Sequence, residues 1–143
     1  MSIPQDAFQN WTVVVVEDDP DSLMVVTMLL EMYGATVISA TNGQEGLEVI
    51  QAHRPRFVIS DLSMPEMSGW ELIEALKQGD RPIAEIPVIA LTAHAMDDDR
   101  RRAINAGFQN FITKPLQPEK FIRQIITFLA IDLPELKMYT LEA

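Results

Sequence analysis

The chain has 143 residues, of which 48% are hydrophobic and 22% are charged, a composition typical of one globular domain. It contains no cysteine, which excludes disulfides and thiolate metal sites, and its formal net charge of −10 disfavours general binding to nucleic acid. No basic flank precedes a hydrophobic segment at the start and no apolar run is long enough to span a membrane, so we expect a cytoplasmic protein without a secretory signal.

The first predicted elements are a strand and a helix, which follow a loose leader over residues 1–11. Residues 11–16 form a valine-rich, nearly continuous apolar run that is too short for a helix, as is typical of a buried parallel strand. Pro20 suits the first turn of the following helix with Asp19 as its N-cap, and Gly34 ends that helix.

The same pattern of strand and helix then recurs along the chain. We predict further strands at residues 35–39, 57–60, 87–91 and 111–113, each followed by a helix. Asn42 is placed to cap the second helix, and Ser68 with Glu71 forms a capping box at the start of the third. Five strands alternating with five helices predict an α/β fold, a parallel sheet with helices on both faces.

Charged and hydroxyl side chains stand where four of these strands end. The ends carry Glu17 and Asp18, then Asp61, Thr92 and Lys114. Because the carboxyl ends of parallel strands share one edge, these side chains should meet there. Two carboxylates about 4 Å apart repel by roughly 4 kcal/mol at an effective dielectric constant of 20, so the cluster needs a cation, a proton or a lysine. Oxygen ligands favour Mg²⁺ over zinc or copper, and Mg²⁺ on carboxylates implies a phosphoryl substrate.

Four motifs carry a resemblance to a known family. They are VVVVEDDP, ISDLSMPEMSGWEL, VIALTAHA and FITKPL. With their order and separations, the chain resembles the receiver domain of two-component response regulators over residues 12–131, leaving residues 132–143 as a tail. The resemblance implies a flavodoxin-like sheet of order 2-1-3-4-5. It also implies a signalling protein that catalyses only its own phosphorylation and dephosphorylation and is not an enzyme.

The resemblance assigns roles to the acidic residues. It implies that Asp61 accepts the phosphoryl group and contacts Mg²⁺, that Asp18 binds Mg²⁺ directly, and that Glu17 acts on the metal through water. Ser63 stands where the family supplies a backbone carbonyl to the metal.

Further positions match the family's phosphate-binding and switch residues. The resemblance implies that the Thr92 hydroxyl and the Lys114 ammonium meet the phosphoryl oxygens, and that the peptide bond before Pro115 is cis. Phe111 stands at the switching aromatic, with a plain core role as the alternative. His94 is expected to line the entrance to the site, with a role as catalytic base as the alternative.

Two segments receive structural interpretations. The basic run at residues 100–102 directly follows three aspartates and is expected to be a solvated helix face. The tail from residue 134 is expected to be a frayed end, with one short amphipathic turn as the alternative.

The implied partners are a histidine kinase or a histidine phosphotransfer protein upstream and a target protein downstream. The protein itself is expected to be a monomer or a weak dimer. From the initial methionine and the short tail, we expect a complete stand-alone regulator. A phosphate-independent pseudo-receiver and a receiver fragment of a hybrid kinase remain alternatives. A dinucleotide-binding module is excluded because no glycine-rich loop follows the first strand. An aspartyl phosphatase would carry a DxD motif after the first strand, where this chain has the adjacent residues Glu17 and Asp18.

Overall fold

The structure, a computed structural model, describes residues 3–93 and 97–139, except for the side chains of residues 97 and 98. It contains the predicted parallel sheet, with strand order 2-1-3-4-5. The strands are β1 (Thr12–Val16), β2 (Thr36–Ala40), β3 (Phe57–Asp61), β4 (Val88–Thr92) and β5 (Asn110–Thr113). The helices are α1 (Pro20–Met32), α2 (Gly43–His53), α3 (Gly69–Lys77), α4 (Arg81–Ala84), α5 (Asp97–Ala106) and α6 (Pro118–Leu129), followed by a 3₁₀ helix (Pro134–Tyr139). Within the described residues, no helix is both long and apolar enough to cross a membrane.

The valines of β1 show how the sheet divides the core. Val13 and Val15 pack on one face, in a cluster with residues of α1 and α6. Val14 and Val16 pack on the other face, with residues of α2, α3 and α5. Successive side chains of a strand point to opposite faces, so a run that is apolar throughout is buried on both. The sheet therefore holds its strand ends rigidly between two helical layers.

The predicted elements are present, and the strand bounds differ from the predictions by at most one residue. Asp19 and Asn42 cap α1 and α2 as expected, and Ser68 and Glu71 form both hydrogen bonds of the capping box. Helix α4 was not predicted. Its N-cap carboxylate, on Asp80, accepts a hydrogen bond from the N–H of Ile83 at 3.0 Å.

The first residues of the chain differ from the expected loose leader. Phe8 is completely buried, and its N–H donates to the carbonyl oxygen of Tyr33 at 2.8 Å. The ring centroid of Phe8 lies 5.5 Å from that of Trp11 and 5.6 Å from that of Phe57. Such aromatic contacts stabilise a segment without any periodic pattern, which is why the sequence did not reveal them.

The tail also differs from the expected frayed end. Leu133 and Leu136 are buried in the same cluster as Phe8, and the Glu135 carboxylate pairs with the guanidinium of Arg56. That hydrogen bond lowers the pKa of Glu135. Arg56 also lies 4.2 Å from the ring centroid of Trp11, so one side chain contacts both terminal segments. The remaining four residues, 140–143, lie outside the described part of the chain.

Candidate functional site

Three carboxylates meet at the carboxyl edge of the sheet, as the strand ends predicted. Asp61 is the last residue of β3, and Glu17 and Asp18 directly follow β1. One oxygen of each lies within 4.8 Å of the others. Glu17 and Asp61 are buried, whereas Asp18 is exposed at the rim. The cluster thus has a buried floor and an open side, through which a ligand can reach it.

Lys114 joins two of the carboxylates. Its ammonium donates to Glu17 Oε1 at 3.0 Å and to Asp61 Oδ2 at 3.1 Å. Its position is fixed by its backbone N–H, which donates to the carbonyl oxygen of Thr92 at 2.7 Å. The peptide bond from Lys114 to Pro115 is cis, as expected. The ammonium of Lys114, which follows β5, therefore links the carboxylates at the ends of β1 and β3.

The pKa of Glu17 shows that the Lys114 ammonium only partly offsets the effect of burial on this carboxylate. Burial, helped by the nearby Asp61 charge, raises the pKa of Glu17 to about 7, although the hydrogen bond from Lys114 lowers it. Burial alone would lower the pKa of Lys114, but its hydrogen bonds to Glu17 and Asp61 raise it overall. The site still carries more negative charge than its lysine neutralises.

The residues fit a divalent cation. Three carboxylates and one ammonium leave a formal charge of −2. Glu17 Oε2 is buried 2.8 Å from the Lys114 nitrogen, yet no described group donates a hydrogen bond to it in good geometry. A buried carboxylate oxygen in contact with one ammonium can still accept a metal ion or a water that the ion holds. The all-oxygen donor set is the one that Mg²⁺ prefers.

The predicted phosphate-binding residue Thr92 and the predicted metal-binding residue Ser63 lie at the same edge of the sheet. Thr92 ends β4 and is buried, with 6% of its surface exposed. Ser63 follows Asp61 by two positions, and its N–H donates to Asp61 Oδ1 at 3.2 Å. Both line a cavity of about 340 Å³ beside the acidic cluster. His94 lies outside the described residues.

Phe111 and the basic run are brought together in a way that the sequence did not predict. Phe111 is buried among the residues that pack under α5, and the guanidinium of Arg100 lies 4.8 Å from its ring centroid. Arg102 lies 4.0 Å from the ring centroid of Trp70. All three arginines are exposed, as expected for a solvated helix face, but Arg100 and Arg102 also contact aromatic rings. Their aromatic partners belong to other elements, so no local pattern could identify them.

Comparison with known proteins identifies the family. The profile of the response regulator receiver domain matches residues 13–126, most of the chain. The chain belongs to the response regulator receiver family. Receivers are signalling modules, and the flavodoxin-like fold expected from the resemblance is confirmed.

Three similar proteins illustrate this membership. An uncharacterised 14.6 kDa protein of Leptolyngbya boryana is 40% identical over 114 residues, which are 79% of the whole chain described here and 86% of that protein. The polar-differentiation response regulator DivK of Brucella anthropi is 36% identical over 118 residues, 82% of this receiver and 95% of DivK. The solved structure of the chemotaxis response regulator CheY4 of Vibrio cholerae superposes with a TM-score of 0.78 at 26% identity, covering 83% of this receiver and 98% of that chain.

Proposed function

We propose that this receiver accepts a phosphoryl group on Asp61 from the phosphohistidine of a histidine kinase or phosphotransfer protein, and signals through protein contacts or phosphorelay. The observation that carries the proposal is the ammonium of Lys114, which bridges Glu17 and Asp61 beside the exposed Asp18. A nucleophilic carboxylate, a lysine and an acidic pair at one open edge are the groups that phosphoryl transfer to aspartate requires.

The transfer follows from these positions. An oxygen of Asp61 forms a bond to phosphorus, while the bond from phosphorus to the donor imidazole nitrogen breaks and leaves its electron pair on that nitrogen. Mg²⁺ bound by Asp18, Asp61, the Ser63 carbonyl and, through water, Glu17 would neutralise charge on the phosphoryl oxygens. Lys114, 3.1 Å from Asp61, would pair with one of those oxygens, and the Thr92 hydroxyl would donate to another.

Asp61→Asn is expected to abolish phosphorylation, because the amide is not a nucleophile at phosphorus. The fold should be as stable as the wild type or more stable, since the substitution removes one of two buried carboxylates and leaves Lys114 to pair with Glu17. Incorporation of phosphate from acetyl phosphate and urea denaturation measure the two effects. Equal phosphate incorporation by the variant and the wild type would show that Asp61 is not the nucleophile.

The signal is expected to leave through α5, β5 and α6. Phosphorylation adds negative charge beside Thr92, and an inward shift of that hydroxyl frees space near Phe111, which packs under α5. Beryllium fluoride should therefore change amide exchange at the surface of α5, β5 and α6, and should not do so in Asp61→Asn. Changes restricted to the loops around Asp61 would contradict a transmitted switch.

The proposed function also implies an oligomeric state and a location for the protein. We infer a cytoplasmic regulator, monomeric or weakly dimeric, organised as a receiver over residues 12–131 with short terminal segments. The filled set of acidic, lysine and hydroxyl positions favours this function over a phosphate-independent pseudo-receiver. A phosphotransfer screen against the histidine kinases and phosphotransfer proteins of the source genome would identify the donor.

A further inference from the structure

A cavity of about 340 Å³ adjoins the acidic cluster on the side of α3 and α5. Its wall contains apolar, hydroxyl and charged side chains: Leu62, Ser63, Met64, Ser68, Trp70, Thr92, Asp99 and Arg102. Two of these residues directly follow Asp61, and Thr92 ends the neighbouring strand. The cavity therefore lies beside the strand end that carries Asp61.

Arg102 is held in that wall by an aromatic ring. Its guanidinium lies 4.0 Å from the ring centroid of Trp70. The Trp70 ring is in turn fixed edge-on against Phe108, with centroids 5.8 Å apart and planes at 83°. Trp70 and Arg102 also line a second cavity of about 380 Å³, which is bounded by residues of α3 and α5. The pair thus forms a wall between the two cavities, with Arg102 exposed on it.

The charge of Arg102 is available to an anion in this wall. A guanidinium that contacts the face of a ring keeps N–H donors, which an anion can accept. Asp99 lies in the same wall, and its carboxylate repels an anion. Arg102 therefore attracts an anion in spite of a neighbouring negative charge. Small phosphodonors are anionic, and the protein that they approach has a formal charge of −10.

We propose that Arg102 is a specificity-determining residue that recruits small anionic phosphodonors, acyl phosphates above all, to the cavity beside Asp61. The proposal rests on the proposed function, because it concerns how a donor reaches that acceptor. In the step that follows, the Asp61 oxygen bonds to phosphorus and the bond from phosphorus to the acyl oxygen breaks. The carboxylate of the donor leaves with the electron pair.

The kinetic test compares charge removal at two neighbouring arginines. Arg102→Gln removes the charge that contacts Trp70, and Arg101→Gln makes the same charge change at a residue outside the cavity wall. We expect Arg102→Gln to lower the second-order rate constant for phosphorylation by acetyl phosphate about fivefold at low salt, the upper end for a partly exposed charge pair. Arg101→Gln should have little effect, and Arg102→Lys should restore part of the rate.

Two readouts distinguish donor recruitment from a structural role. The gap between wild type and Arg102→Gln should narrow at high salt, because salt screens the attraction. The hydrolysis rate of phosphorylated Asp61 should stay unchanged, since no donor takes part in it. An Arg102→Gln rate equal to that of Arg101→Gln would overturn the proposal, as would an equal loss in hydrolysis. Failure of the wild type to form any adduct would instead contradict the proposed function.

Binding can also be measured without chemistry. In ¹⁵N-labelled Asp61→Asn, acetyl phosphate should shift the indole N–H signal of Trp70, and adding Arg102→Gln should require about fivefold more donor for the same shift. Trp11, which Arg56 covers at the opposite edge of the sheet, provides an internal control whose signal should not move. A Trp70 response that Arg102→Gln leaves unchanged would refute a direct contact with the donor.

Discussion

Lys114→Met is expected to lower the rate of phosphoryl transfer to Asp61 by about a hundredfold, the loss typical when one preorganised donor to a developing charge is removed. The ammonium lies 3.1 Å from Asp61 Oδ2 and is mostly buried, with 17% of the side chain exposed. Water cannot replace it fully in that position. The substitution also leaves the buried Glu17 beside Asp61 without the ammonium, so the free energy of unfolding should fall by about 3 kcal/mol, the low end for a broken buried ion pair.

Lys120→Met is the matched control for this variant. It makes the same change of side chain at an exposed position on α6, away from the acidic cluster. Single-turnover phosphorylation by acetyl phosphate and urea denaturation measure the two effects. If both lysine variants transfer the phosphoryl group at the wild-type rate, Lys114 does not stabilise the transferring group.

Phe8→Ala is expected to lower the free energy of unfolding by about 3–5 kcal/mol, as for other completely buried phenylalanines. The ring contacts Trp11, Tyr33 and Phe57, and the cavity left by its loss would lie under the amino edge of the sheet. This effect is large beside the total stability of about 5–15 kcal/mol that is usual for a domain.

Gln5→Ala serves as the control, because Gln5 is exposed in the same segment. Its effect should stay within about 0.5 kcal/mol. Urea denaturation followed by far-ultraviolet circular dichroism measures both variants. A Phe8→Ala protein as stable as Gln5→Ala would show that the first residues do not pack on the core in solution.

The central elements could be predicted because their signals are local. The valines of β1 are apolar on both faces, and the caps at Asp19, Asn42 and Ser68 stand next to the helices that they start. The meeting of the strand-end carboxylates followed from one topological fact, since parallel strands end at a common edge.

The features that sequence reasoning missed depend on distant partners. Phe8 is buried by rings far along the chain, and Leu136 by residues of α6 and its neighbours. The basic run is exposed as predicted, but its contact with Trp70 was missed because that ring lies on another helix. Helix α4 did leave a local signal, because Asp80 stands two residues before a proline, but it is only one turn long.

The most direct test of the account is to locate the phosphoryl group in the wild-type protein by peptide-resolved mass spectrometry, after treatment with acetyl phosphate and Mg²⁺. We predict one phosphoryl group per chain, on the peptide that contains Asp61, and no adduct when a chelator is present during the treatment. Adduct formation that does not depend on Mg²⁺, or a phosphoryl group on another residue while Asp61 remains free, would contradict the account.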